Sequence, residues 1–343
     1  MIMQGIFSVL TSPSCWLLIV LGTVIGLIFG AIPGLSAPMA MVLCLPMSFA
    51  LEPIEGICLL IALYVGSTSG GLISAILLEI PGTPASIATV FDGGPMAKNG
   101  EAGKALGIGI LYSFIGGVIS TVALVIGAQA LAAFALKFTP FEYFSIAVFS
   151  LTVIASLAGK SIIDGLISGV LGFLVAMIGM STLGQVRFTF GNSNLLSGID
   201  TVPILIGIYA IGAIISNAFG DVNKSVGTKR KYKLGFPLTL QEFVGQGWNA
   251  LRSAIVGIII GILPGIGGST AGLLSYTIAK DSSKYPEKFG TGIVDGVVAS
   301  ETANNAVIGG SLIPLLTLGI PGSTPACLLL AGLTIHGITP GPL

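Results

Sequence analysis

Residues Gly26–Leu35 read GLIFGAIPGL, and residues Gly257–Ile266 read GIIIGILPGI. Gly26, Gly30, Ile32, Pro33, Gly34 and Leu35 return as Gly257, Gly261, Leu263, Pro264, Gly265 and Ile266, each displaced by 231. A second match follows in the same order: GGLISAILLEIPGTPA from Gly70 and GGSLIPLLTLGIPGSTPA from Gly309, where Ile80–Gly82 returns as Ile320–Gly322, displaced by 240. Two ordered matches mark an internal repeat, against the alternative that Gly-rich membrane helices resemble one another by chance. Each match ends an apolar run at a Pro-Gly pair, where proline removes a backbone donor and excludes the helical conformation from the residue before it.

The surroundings of these breaks are membrane-like. The 343 residues carry 14 Lys+Arg and 14 Asp+Glu, or 8% charged, against roughly 25% in a soluble domain. Hydrophobic residues make up 53%, and the mean hydropathy is +1.01. That much apolar surface has to be solvated by a bilayer. Long unbroken apolar runs argue for helices rather than for a barrel, whose strands alternate apolar and polar residues over about ten positions. The expected class is an all-α polytopic membrane protein. A net charge of +0 gives no basic footprint for nucleic acid. Cys15, Cys44, Cys58 and Cys327 lie in apolar runs without CxxC pairing and read as packing residues. The first apolar run has no basic flank or clear cleavage site and reads as a membrane segment rather than a signal peptide.

Charges delimit the spans, because each costs about 2.5 to 3.5 kcal/mol at the bilayer centre. Charge-free windows of 51, 23, 32 and 17 residues precede Glu52, Glu79, Lys137 and Lys160; windows of 22, 20, 27 and 42 follow Asp164, Asp200, Arg252 and Glu301. At about 1.5 Å per residue the two longest would reach about 75 and 63 Å, twice a hydrocarbon core, so each must fold back at its Pro-Gly breaks. Ala105–Leu136, Tyr143–Gly159, Gly165–Gly184 and Thr201–Ala218 read as four ordinary crossings. The next loop carries Lys224, Lys229, Arg230, Lys231 and Lys233 and is cytoplasmic by the positive-inside rule. Counting back puts Lys98, Lys104 and Lys160 on the same side, against Lys137 and Arg187 outside.

The expected organisation is a first broken-helix repeat over 1–104, a four-helix segment over 105–220, a basic loop over 221–247 and a second repeat over 248–343. An odd number of crossings in the first unit would make the repeats inverted. Four crossings follow the first unit and none follows the second, so a further segment of comparable size is expected after Leu343.

Paired Gly/Pro interruptions in two halves point to a secondary transporter with its site between broken helices. A half-helix N-terminus offers unpaired N–H groups and about half a positive charge, enough to hold a carboxylate without lysine or arginine. The apolar windows contain neither. Gly34, Leu35 and Ser36, Gly82 and Thr83, Gly265, Ile266 and Gly267, and Gly322, Ser323 and Thr324 are therefore the candidate substrate positions, with the hydroxyls of Ser86, Ser269 and Thr270 nearby. Any one hydroxyl has the alternative of bonding back to its own helix.

Asn304 and Asn305, preceded by Glu301 and Thr302, form the densest polar cluster of an apolar region, and Ser67, Thr68 and Ser69 were matched to them in the first unit. These oxygen-rich stretches are candidates for cation coupling, with a structural polar network as the alternative. Glu79, set among Leu77, Leu78 and Ile80, either titrates, lines a cavity, or is wetted at the membrane edge. Asp92, Asp295 and His336 are weaker candidates. No HExxH, GxSxG or GxxxxGK(S/T) motif occurs, so an enzyme finds little support; a channel or scaffold subunit without coupled transport remains the rival to a transporter.

Four stretches, GAIPGLSAPMAM (Gly30–Met41), LLEIPGTPASIATVFDGGPMAKNGEAGKALGIG (Leu77–Gly109), GILPGIGG (Gly261–Gly268) and the run from Ala299 to Pro342, resemble the large membrane subunit of tripartite tricarboxylate transporters, the TctA family. The resemblance implies a multi-pass protein of the bacterial inner membrane. It would work with a small TctB-like membrane subunit and a periplasmic TctC-like solute-binding protein that delivers a carboxylate, such as citrate or an aromatic acid. A sodium or proton gradient would drive uptake, with no cofactor beyond a bound Na+. It places Pro33, Pro81, Pro264, Pro321 and the Asn304–Asn305 pair along the site. The family pattern has Asn at Glu79, and this departure leaves the coupling ion open.

Overall fold

In the computed structural model the residues described are 2–135, 139, 141, 144–145, 148, 162–180, 185–196, 198–199, 204, 238–264 and 266–341. Nearly all of the expected crossings Tyr143–Gly159 and Thr201–Ala218, the basic loop up to residue 237 and Gly265 lie outside them.

Helix α1 (Ile2–Thr11) leads into α2 (Pro13–Ala31), whose start is capped by the Ser12 hydroxyl accepting from the Cys15 N–H. After the Pro33-Gly34 break come α3 (Ala37–Ser48) and α4 (Pro53–Leu77). Proline begins α4, where its missing N–H costs nothing, and Glu55 reaches back to the Glu52 N–H at 3.3 Å. The Pro81-Gly82 break leads through a 3-10 turn at Pro84–Ser86 into α5 (Ile87–Lys98), followed by α6 (Ala102–Ala135). Then come α7 (Ile162–Ala176) and a two-residue antiparallel pairing of β1 (Gly179–Met180) with β2 (Val186–Arg187). The second repeat comprises α8 (Leu240–Gly245), α9 (Gly247–Ile262), α10 (Gly267–Asp281), α11 (Val294–Leu318) and α12 (Thr324–Ile335). Among the described residues, α2, α4 and Ala102–Leu131 of α6 are long and apolar enough to cross a membrane.

Glycines bring the helix backbones into contact. Along α2, Gly22, Gly26 and Gly30 abut the carbonyls of Leu59, Leu63 and Ser67, so α2 and α4 run parallel. In the second repeat, Gly257 and Gly261 of α9 abut the carbonyls of Ala303 and Val307 of α11, again parallel. A methyl group at Gly26 would lie 2.7 Å from the Leu63 carbonyl, and one at Gly261 2.7 Å from that of Val307. Such small-residue seams are how membrane helices associate, since lipid is as apolar as their side chains.

The two repeats are inverted. Tyr64 of α4 meets Ser311 of α11, while Ser69 meets Asn305, so numbers rise along one helix as they fall along the other. The equivalent helices α4 and α11 are therefore antiparallel. Around them the short half-helices exchange partners: α3 and α12 pack together through Met41, Leu45, Leu328 and Leu329, and α5 packs on α10 through Ala88, Tyr276 and Ala279.

The first of the four expected crossings, α6, lies against the second repeat. Its Gly116 abuts the Thr302 carbonyl, and its Ser120 abuts Gly309. The opposite face of α6 exposes Ile110, Phe114, Val118, Val122 and Ile126, an apolar stripe at four-residue spacing suited to lipid.

Candidate functional site

All four breaks deliver the start of a helix to one cavity of about 230 Å³. Ser36, Ala37 and Pro38 open α3; Thr83, Pro84 and Ala85 lead into α5; Gly267, Gly268 and Ser269 open α10; Ser323, Thr324 and Pro325 open α12. Tyr64 and Thr68 of α4 and Asn304 and Val307 of α11 complete the wall. Among the described residues no charged side chain lines it.

The local sequence explains this geometry. Ser36 and Ser323 are N-caps in nearly identical extended conformations (φ −152° and −150°), accepting from the N–H groups of Met39 and Ala326. The peptide N–H groups of a first helical turn have no partner within the helix, and the aligned peptide dipoles make that end positive. The turns themselves are copied between repeats: Gly82 donates to the Gly71 carbonyl at 3.4 Å, and Gly322 to the Ser311 carbonyl at 3.3 Å. Ile80 and Ile320 likewise donate to the carbonyls of Ser74 and Pro314, residues 240 apart.

Asn304 is 1% exposed, yet among the described residues neither its Nδ2 nor its Oδ1 has a hydrogen-bond partner; Thr83 Oγ1 is buried with none beyond the Ser86 N–H of its own turn. A methyl group on Gly268 would lie 2.6 Å from Asn304 Oδ1, so that glycine makes room for the amide. A cavity with an unmet amide between four opposed helix starts is the candidate ligand site of this fold. A model of the tripartite tricarboxylate transporter TctA family matches residues 16–343.

The chain belongs to the TctA family. A protein of Agrobacterium vitis described as "Uncharacterized 52.8 kDa protein in TAR-I ttuC' 3'region" is 39% identical over 322 residues, 94% of this chain and 64% of that protein. A second from the same organism, "Uncharacterized protein in TAR-II ttuC' 3'region", is 46% identical over 86 residues, 25% of this chain and 36% of that protein. The chain thus spans less than two thirds of the length of these curated relatives. No solved structure matches. As a TctA-family protein it is a multi-pass membrane chain.

Among the expected substrate residues of this TctA-family chain, Ser36, Thr83, Gly267, Ser323, Thr324 and Asn304 line the cavity; Gly34, Leu35, Gly82, Ile266 and Gly322 form the turns behind them and do not. Asn305 points away from the cavity. Its Nδ2 donates to Ser113 Oγ at 2.8 Å and to the Glu301 carbonyl, and its Oδ1 accepts from Ser69.

The residues expected to coordinate a cation are not gathered in one place. Thr68 lines the cavity and donates to the Tyr64 carbonyl. Ser69 and Glu301 belong to a buried network in which the Glu301 carboxylate contacts the hydroxyls of Thr89 and Ser113. Ser67 abuts α2, and Thr302 abuts α6; both hydroxyls are buried without a partner among the described residues. Glu79 lies outside the cavity with its side chain 31% exposed, paired with Lys98 at 2.6 Å, in keeping with the wetted alternative.

The weaker candidates have structural surroundings. Asp92 Oδ1 accepts from the N–H groups of Gly290, Gly292 and Ile293, and Oδ2 accepts from Tyr276, tying α5 to the loop before α11. Asp295 accepts from Gln246. His336 ends α12, its Nε2 buried without a partner.

Sequence reasoning missed Tyr64. The displacement of 240 that relates the IPG turns maps Asn304 onto Tyr64, not onto the Ser67–Ser69 stretch matched to it from polarity alone. Applying the displacement residue by residue would have found it. Ser113 and Thr89 carried no such signal, because only packing brings α6 and α5 beside Glu301.

Proposed function

We propose that this chain is the large transmembrane subunit of a cation-coupled carboxylate importer of the tripartite type. It would receive its substrate from a periplasmic binding protein, work beside a small membrane subunit and sit in the bacterial inner membrane. One observation carries the reading: four helix starts from two inverted repeats converge on one cavity without a charged side chain. Opposed positive helix ends there favour an anion, and their N–H groups and the hydroxyls of Ser36, Thr83 and Thr324 suit carboxylate oxygens. Inversion supplies a two-fold arrangement that can expose the same site to either side in turn. Coupling would draw on oxygen-bearing side chains dispersed through the core, Thr68 on the cavity wall and Ser67, Ser69, Glu301 and Thr302 away from it, with Na+ or H+ as the ion.

The test is uptake of radiolabelled citrate or a comparable acid by proteoliposomes holding the full chain with its small membrane subunit and loaded binding protein. Accumulation driven by an imposed sodium or pH gradient is expected. Uptake indifferent to both gradients would favour the channel reading and reject coupled transport.

A further inference from the structure

Tyr64 and Asn304 occupy the same position of α4 and α11, 240 residues apart, and both line the cavity. They treat it differently. Tyr64 Oη lies 3.0 Å from Ser323 Oγ and 3.4 Å from Ser311 Oγ. Ser311 gives its proton to the Ile308 carbonyl at 2.9 Å, and Ser323 Oγ accepts from the Ala326 N–H. The arrangement that uses every proton has Ser323 donating to Tyr64 and Tyr64 donating to Ser311. That leaves Ser323 no proton for a guest.

The counterparts of Ser323 and Ser311 in the first repeat are Thr83 and Gly71. Gly71 brings no hydroxyl, and asparagine is too short to repeat the tyrosine's reach. Hence, among the described residues, the Asn304 amide stands buried with no partner and Thr83 Oγ1 with none beyond its own turn, a state that costs free energy until something fills it. The amide needs both an acceptor for Nδ2 and a donor for Oδ1. A carboxylate alone only accepts.

We propose that Tyr64 is a specificity-determining residue that makes the cavity one-ended: it seals the Ser323 side, and the ligand is anchored at Asn304 and Thr83 by a carboxylate carrying an adjacent alcohol hydroxyl. The carboxylate oxygen accepts from Asn304 Nδ2 while the hydroxyl donates to Asn304 Oδ1. This rests on the carboxylate reading above and narrows it.

The experiment compares malate with succinate, four-carbon diacids that differ by one hydroxyl, by calorimetric titration of the purified full chain in detergent. Malate is expected to bind about tenfold or more tightly, the effect of leaving one buried acceptor unmet. Asn304→Ala should bring the ratio to about one. Tyr64→Phe releases the Ser323 proton to the second carboxylate that both acids carry, so both should bind about threefold or more tightly while their ratio holds. A tyrosine with a purely structural role would weaken both acids together. Thr83→Val repeats the test on the anchoring side if either variant fails to fold. Equal affinities in the wild type, a ratio unmoved in folded Asn304→Ala or Thr83→Val, or no gain for either acid in folded Tyr64→Phe would overturn the proposal; binding of neither acid would instead overturn the carboxylate reading beneath it.

Discussion

Glu79 and Gly319 make the same left-handed turn in the two repeats, with φ values of 58° and 71°, each one residue before the isoleucine of an IPG break. The turn ends α4 and α11 and swings the chain toward the cavity. Gly319 makes it without strain; Glu79 holds a conformation that side chains rarely adopt, at a cost of order 1 kcal/mol or more. Glycine at 79 should therefore be more stable than alanine by about 1 kcal/mol, both having lost the Lys98 pair equally. Thermal unfolding of Glu79→Gly and Glu79→Ala decides it, and an alanine variant at least as stable as the glycine one would contradict the strain.

The two neighbouring asparagines should separate in their behaviour. Asn304 has no hydrogen bond to lose, so Asn304→Ala should leave stability within about 1 kcal/mol of wild type while uptake is lost. Asn305 serves three polar partners in a buried network; Asn305→Ala should cost about 2 to 3 kcal/mol and lower uptake with it. Expression, melting temperature and uptake measured on the same preparations would test the contrast. Wild-type uptake in Asn304→Ala would remove that residue from the site.

Asp92 is wholly buried and satisfies three backbone N–H groups and the Tyr276 hydroxyl. Truncation strands them all, and Asp92→Ala should lose about 3 kcal/mol or more, with Asp92→Asn, which keeps an acceptor, losing less. Unfolding of the alanine variant within about 1 kcal/mol of wild type would show that the loop finds other partners.

Glu242, outside the spanning helices, has its carboxyl pulled down to about 2, first by the Thr239 N–H and then by the Lys104 ammonium and the Thr239 hydroxyl. A group whose folded pKa is depressed stabilises above its unfolded pKa, and that contribution is lost as pH falls through the folded value. Solvent screens the pair, whose carboxylate side is 39% exposed, so the benefit should stay under about 1 kcal/mol. Wild type should be slightly more stable than Glu242→Gln at pH 6 to 7, and the difference should shrink from about pH 5 toward pH 2. A difference that grows on acidification would reverse the sign.

Much of the site was legible along the chain because its cause is covalent: proline and glycine break helices wherever they stand, so Pro33, Pro81, Pro264 and Pro321 announce four half-helix starts. Ser36 and Ser323 could be named because a hydroxyl after such a break caps the helix it opens, and Thr83 and Thr324 because they stand beside the same breaks. Asn305 misled, since adjacent residues of a helix point about 100° apart, and a polar pair in a sequence does not say which member faces the cavity. Ser67–Ser69 misled likewise, because a match by polarity is weaker than a match by displacement.

Composition and breaker spacing alone therefore fixed a helical membrane protein with two broken-helix repeats, because hydropathy and backbone chemistry act locally. Packing decided the rest: antiparallel α4 and α11 bring four helix starts around one cavity, Tyr64 closes one side of it, and Asn304 is left facing the other unpaired. Those facts depend on which helix faces lie against each other across more than 200 residues of chain, and no local pattern carries that information.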